Sequence, residues 1–169
     1  MIQEKEVNVL INGMVGKNAY FEQISKLNDV VFDGDSHISD AIVPSRVGQG
    51  DGMSILISDF LTDNDYETAI DCLADKKRDI LCIQVLAREE LNPQMRGKMH
   101  LFDSEDGRKF YRKNIDRDIA QAYKRALAYV TDRIGNYCAS RGADYLLAPA
   151  DATMGQLFFE KMVDMEVLK

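Results

Sequence analysis

The chain has few cysteines, no long apolar run and, over much of its first half, almost no basic charge; each shortage narrows what the protein can be. Cys72, Cys82 and Cys138 are odd in number, widely spaced, and form no Cys-x-x-Cys pair. They sit inside apolar periodic segments, which points to small buried side chains in a reducing compartment rather than to a disulfide framework. The longest apolar run, Ile80 to Ala87 with Gln84 inside it, is far too short to span a bilayer, and no basic and apolar leader opens the chain. The expectation is a soluble, cytoplasmic protein with no membrane segment. A net charge of −7 and a pI near 4.9 argue against nucleic acid or anionic membrane as partner, because both require a basic footprint. Cations or basic partners fit better.

The charge is unevenly placed. From Asp29 to Asp75 the acids Asp33, Asp35, Asp40, Asp51, Asp59, Asp63, Asp65, Glu67 and Asp71 face one base, Arg46. Arg96, Lys98, Arg108, Lys109, Arg112, Lys113 and Arg117 gather later, where a solvated face is the simplest reading. With 169 residues, 46% of them hydrophobic, and no repeat or low-complexity segment, the sequence predicts a single domain over 1–169.

The run Ser54-Ile-Leu-Ile-Ser-Asp-Phe-Leu-Thr-Asp63 carries most information. Its near-continuous apolar character predicts a strand buried on both faces, hence a mostly parallel sheet with helices on both sides. Asp59 then leaves the carboxyl end of that strand, where open α/β sheets bind their ligands. Around it the pattern alternates. Val7 to Ile11 predicts a strand and Tyr20 to Leu27 a helix with Phe21, Ile24 and Leu27 on one face. Val30 to Phe32 predicts an extended segment, and Ser36 a cap for a short helix through Ile38, Ala41 and Ile42. Asp63 or Asn64 begins a helix carrying Tyr66, Ala69, Ile70 and Leu73, and Ile80 to Leu86 predicts a second fully buried strand.

Beyond Pro93, Lys98 to Phe102 and Lys109 to Tyr111 flank Ser104-Glu-Asp-Gly107, which predicts a small β-hairpin insertion near 98–112. A long amphipathic helix is expected from Asp116 to Arg141. Its apolar face is Ile119, Tyr123, Ala126, Leu127, Val130, Ile134 and Cys138, and Gly142 ends it. A strand over Tyr145 to Ala148 and a helix from about Thr153 to Met165 complete the pattern.

Four pieces together resemble the bacterial domain-of-unknown-function family fifty-eight: Ile57-Ser-Asp-Phe-Leu61, Arg78 to Leu86, Asp103-Ser-Glu-Asp-Gly107 and Gly142-Ala-Asp-Tyr-Leu-Leu147. The resemblance runs in order and spacing from about Val7 to the C-terminus. It implies a von Willebrand factor A-like domain, a three-layer α/β fold with a metal-ion-dependent adhesion site at the carboxyl rim of its sheet. In that site an Asp-x-Ser-x-Ser loop, a second loop with a Thr and a third with an Asp hold one divalent cation. Carried over to this chain, Asp59 takes the third-loop position and Ser36 stands in the second, with Asp35 and Asp63 on the same protein-binding rim. Mg²⁺ is the implied cation, since it takes hard oxygen ligands. No Asp-x-Ser-x-Ser run occurs, however, and the chain opens at the family's second strand. The expectation is therefore a truncated or naturally shortened domain with a degenerate metal site. The resemblance also implies a non-enzymatic adaptor working beside a MoxR-type AAA+ ATPase. A missing central strand would leave an exposed sheet edge and favour self-association.

Each site residue has a plainer role open to it. Asp59 can be an acid that ends a strand and accepts hydrogen bonds from the amides of the next turn, and Ser36 can be a helix cap. One enzyme reading competes: Val30-Val-Phe-Asp-Gly-Asp-Ser36 looks like the first motif of haloacid-dehalogenase-type phosphatases, with Asp33 as nucleophile and Asp35 as acid-base beside Mg²⁺. Ser58, Asp151 and Lys76 or Lys77 would then supply the remaining motifs.

Overall fold

The computed structural model describes residues 15–26, 37–61, 65–93, 97–102 and 110–165, apart from the side chains of 98–102 and 110–115. Eleven elements follow in chain order: α1 (Lys17–Ile24), α2 (Ile38–Ala41), β1 (Met53–Ser58), α3 (Asp65–Asp75), β2 (Asp79–Leu86), α4 (Arg88–Leu91), β3 (Gly97–Phe102), β4 (Phe110–Ile115), α5 (Arg117–Ser140), β5 (Asp144–Pro149) and α6, a π-helical turn over Gln156–Met162. The fold is α/β. A three-stranded sheet in the order β1-β2-β5 is parallel throughout, and β3 and β4 form a separate antiparallel pair.

The register follows from the apolar pattern. Met53 lies beside Asp79 and Ser58 beside Gln84, while Leu81 to Leu86 run alongside Asp144 to Pro149. Alternate side chains of β2 enter two different cores. Ile80 and Cys82 join Leu56, Phe60, Tyr66, Ile70, Leu73, Ile134 and Cys138 on the face covered by α3 and α5. Leu81 and Ile83 join Leu146, Ala148 and Met162 on the other, beneath α6. Both crossovers, α3 between β1 and β2 and α5 before β5, therefore pack on one face, as right-handed connections running the same way across a sheet require.

α3 and α5 form where the sequence asks for them, whereas α1 lies at Lys17–Ile24 rather than from Tyr20, and α4 was not expected. α3 buries Tyr66, Ala69, Ile70 and Leu73, the four residues its periodicity predicts. α5 begins at Asp116, whose side chain accepts from the Ile119 amide, and is followed by Gly142 at φ 68°, a left-handed position that suits a residue with no Cβ. The hairpin spans 97–115, a little more than expected, and its turn lies outside the described residues.

Several expectations are corrected. β1 is not buried on both faces: Leu56 enters the core, but Met53, Ile55 and Ile57 are exposed, Ile57 to 68%. The cause is topological, since β1 is one edge of the described sheet and the core beneath α6 draws its strand residues from β2 and β5 only. The apolar face of α5 is buried only towards its end, at Ile134 and Cys138, whereas Ile119 and Tyr123 stand exposed. α1 forms but buries none of its residues. α2 takes His37 as its cap position, and its Ser39 amide is held from outside by the Asp65 carboxylate at 3.1 Å. Cys72 is only half-buried; Cys82 and Cys138 are fully buried, and their mutual hydrogen bond together with burial pushes the Cys82 thiol up. The expected strand over Val7 to Ile11 and the extended segment Val30 to Phe32 lie outside the described residues. No helix among the described residues is long and apolar enough to cross a membrane.

Candidate functional site at the carboxyl rim

The chain leaves β1 through a tight turn that points Asp59 into solvent and Phe60 into the core. Phe60 adopts φ 53°, a left-handed conformation that costs a β-carbon-bearing residue on the order of 1 kcal/mol or more. Three contacts hold it there. The Phe60 amide donates to Ser58 Oγ at 3.2 Å, and the Leu61 amide donates to Asp59 Oδ1 at 3.1 Å. The ring, 1% exposed, meets Tyr66 edge-to-face with centroids 6.0 Å apart. Tyr66 in turn meets Tyr137 of α5 in the same way.

A fourth contact comes from the neighbouring strand. Gln84 is fully buried, and its Nε2 donates to the Asp59 carbonyl at 2.6 Å. Its Oε1 accepts from the Tyr145 hydroxyl at 2.5 Å, so one amide links the ends of β1 and β5 through β2. Burial pushes the Tyr145 hydroxyl up to about 12, so it remains a donor well into alkaline pH. Room for its ring depends on Gly135 in α5, where a Cβ would come within 3.2 Å of Tyr145 Cδ1. Sequence reasoning passed over both Gln84 and Tyr145. The signal was one amide inside an otherwise apolar strand, since a buried polar side chain has to find partners.

Chemically, the rim presents an exposed carboxylate on a backbone that cannot easily move. One oxygen of Asp59 already accepts a main-chain hydrogen bond, the plainer of the two roles open to it. The group can still pair with a basic side chain or give one oxygen to a cation. Among the described residues no three His, Cys, Asp or Glu side chains cluster as metal ligands. Ser36, Asp35 and Asp63, expected beside Asp59, lie outside the described residues, as does Asp33.

Of the residues named for the phosphatase arrangement, Ser58, Asp151, Lys76 and Lys77 are described. Ser58 Oγ is bonded to the Phe60 amide, and Asp151 pairs with Arg88 at 2.7 Å. Lys76 and Lys77 come just before Arg78 and Asp79, and Asp79 lies beside Met53, so they occupy the amino-terminal end of the sheet, opposite the rim.

A second polar region joins the outer surfaces of α3 and α5. Arg141 Nε donates to Asp71 Oδ1 at 2.6 Å, the Tyr137 hydroxyl donates to the same oxygen at 2.7 Å, and Arg133 pairs with Glu67 at 2.9 Å. The Tyr137 hydrogen bond and then the Arg141 guanidinium hold the Asp71 carboxyl below the usual range, against the opposing pull of desolvation. An open groove of about 500 Å³ lies beside these groups. Asp65 is likewise held low: burial would raise it, but hydrogen bonds from Ser39 and Ile38 and the charge of His37 outweigh that. These contacts fasten helices to one another, and the sequence showed only their charges.

A family described as protein of unknown function DUF58 matches residues 37–132, more than half of the chain and a narrower span than the resemblance suggested. No curated protein and no solved structure matches it. The matched span runs from α2 into α5 and takes in the rim turn at Asp59, with β1, β2 and the hairpin around it. The chain belongs to the DUF58 family.

Proposed function

We propose that this chain is a non-enzymatic von Willebrand factor A-like interaction domain of the cytoplasm that docks a protein partner at the carboxyl rim of its sheet. The observation that carries the reading is Asp59, an exposed carboxylate at the carboxyl end of a parallel strand, on a turn fixed by Gln84 and by the buried Phe60. A fixed exposed charge of this kind selects a basic side chain on a partner, and the overall charge of −7 would steer such a partner towards it. The family resemblance adds a MoxR-type AAA+ ATPase as that partner. Ser36 would contribute a hydroxyl and Asp35 and Asp63 further charge to the rim. Mg²⁺ would find a degenerate site there, with too few protein oxygens to be held firmly.

Titration of the protein with a MoxR-type ATPase tests this directly. Asp59→Ala should weaken the complex by about tenfold or more, as loss of a central interface charge does. Equal affinity of both forms would overturn the rim as the docking site. Millimolar Mg²⁺ should raise the melting temperature little, and whatever rise occurs should vanish in Asp59→Ala, because a ligand stabilises only the state that binds it. Mg²⁺-dependent hydrolysis of a generic phosphate ester, abolished by Asp33→Asn, would replace this reading with the phosphatase one.

A further inference from the structure

Towards the amino end of β1, away from the rim, a groove of about 360 Å³ opens between this strand, α3 and the turn that follows α2. Its size is that of a small-ligand cleft. Its apolar walls, Ile42, Val47, Leu56 and Leu73 among them, are all aliphatic. Arg46 and Arg78 are the only charged side chains that line it among the described residues, and no acid does. In a chain of net charge −7, where Arg46 is the one Lys or Arg between Asp29 and Asp75, a groove with two cations and no acid stands apart from its surroundings.

Arg78 is held in place. Its Nε donates to Ser54 Oγ at 3.2 Å and its Nη2 to the Met53 carbonyl at 3.1 Å, while the guanidinium lies against Gly52, where a Cβ would come within 2.7 Å of Nη1. Ser54 lines the groove and shares a face of β1 with Leu56, so these bonds keep the guanidinium on the groove side of the strand. Nη1 has no partner among the described residues, and neither Arg46 nor Arg78 forms an ion pair there. Asp79 follows Arg78 in sequence but alternates along β2 with Ile80, which enters the core under α3, and therefore faces the other side of the sheet. We propose that the groove binds a small amphipathic anion, an aliphatic monocarboxylate whose head pairs with Arg46 and Arg78 and whose chain lies along Ile42, Val47, Leu56 and Leu73. A guanidinium fork matches a carboxylate, and aliphatic walls gain from covering an alkyl chain. A single negative charge also meets the protein's own negative field least.

This site shares no residue with the docking rim and stands or falls apart from it. Octanoate is the probe. Titrated into isotope-labelled protein, it should move the amide resonances of Gly48 and Ser54 saturably. Octanol, with the same chain length and no charge, should bind at least about tenfold more weakly, because it forgoes the charge-assisted hydrogen bonds. Inorganic phosphate, with charge and no chain, should also bind more weakly than octanoate. Arg46→Glu, at an exposed position that the fold tolerates, should weaken octanoate at least about tenfold, since it sets a like charge beside the carboxylate. Arg78→Lys keeps the charge but loses the fork and should weaken octanoate as well. Circular dichroism shows whether each variant is folded, and should Arg78→Lys fail to fold, Arg46→Glu still decides. No saturable movement of the two amides, octanol or phosphate binding as tightly as octanoate, or unchanged affinity in either folded variant would each overturn the proposal.

Discussion

β1 and β2 are nearly indistinguishable as sequences, yet they end in opposite surroundings. Met53-Ser-Ile-Leu-Ile-Ser58 and Asp79-Ile-Leu-Cys-Ile-Gln-Val-Leu86 are both short, rich in branched side chains and almost free of charge. β2 is buried on both faces, between two cores, and its one buried polar side chain, Gln84, is hydrogen-bonded through both its nitrogen and its oxygen. β1 contributes one buried residue, Leu56, and shows three apolar ones to solvent. Apolar composition therefore marks a strand that could be covered on both sides. Whether it is covered depends on its place in the sheet, which distant parts of the chain decide.

Truncation mutants should separate the two strands most sharply. Leu81→Ala in β2 removes a side chain that is 1% exposed and should cost about 2–5 kcal/mol in denaturant unfolding. Ile57→Ala in β1, at a side chain 68% exposed, should stay within about 0.5 kcal/mol. A large loss at Ile57 would mean that β1 is covered after all, and the contrast would fail.

A smaller effect is expected from the hydrogen bonds that tie the strands together. Gln84→Leu keeps the volume but leaves the Asp59 carbonyl and the Tyr145 hydroxyl without their partner, which should cost about 1–3 kcal/mol. Amide exchange at Phe60 and Leu61 should quicken in the same variant, because the turn loses the contact that fixes it from β2. Unchanged exchange there would show that Ser58 and the Phe60 ring suffice to hold the rim.

At neutral pH the least effect is expected from Tyr145 on β5, whose contribution changes only in alkali. Tyr145 is raised from 10.0 to about 12 in the folded protein by burial, so the unfolded chain releases this proton first as the pH rises. Its contribution is complete below pH 10 and should be lost between 10 and about 12. Tyr145→Phe should remove that component from a plot of melting temperature against pH. If the slope is unchanged, other groups govern alkaline unfolding.

Much of the scaffold was legible beforehand. α3 could be read from Tyr66, Ala69, Ile70 and Leu73, and α5 from its apolar spacing and its Gly142 stop, because periodicity and helix stops are local physics that short stretches of chain satisfy by themselves. The position of Asp59 at the carboxyl rim was legible for the same reason, since a strand followed by a helix puts its loop there. Where partners lie far apart along the chain, the reading thinned. Gln84 was visible as an interruption of an apolar run, but its partners Asp59 and Tyr145 lie 25 and 61 residues away. The apolar spacing of α1 and of the first half of α5 is plain in the sequence, yet periodicity says nothing about whether a neighbour arrives to cover it.

The sequence by itself determined the alternation of strands and helices, the hairpin, the negative overall charge and the acid that ends β1. Each follows from side-chain chemistry acting within about a dozen residues or from composition alone. Only the tertiary structure decided that β1 is the edge of the described sheet, that Phe60 is forced left-handed to aim Asp59 outward, and that Gln84 locks the rim to Tyr145. Those outcomes depend on which surfaces meet, and burial is a property of the assembled layers rather than of any one segment.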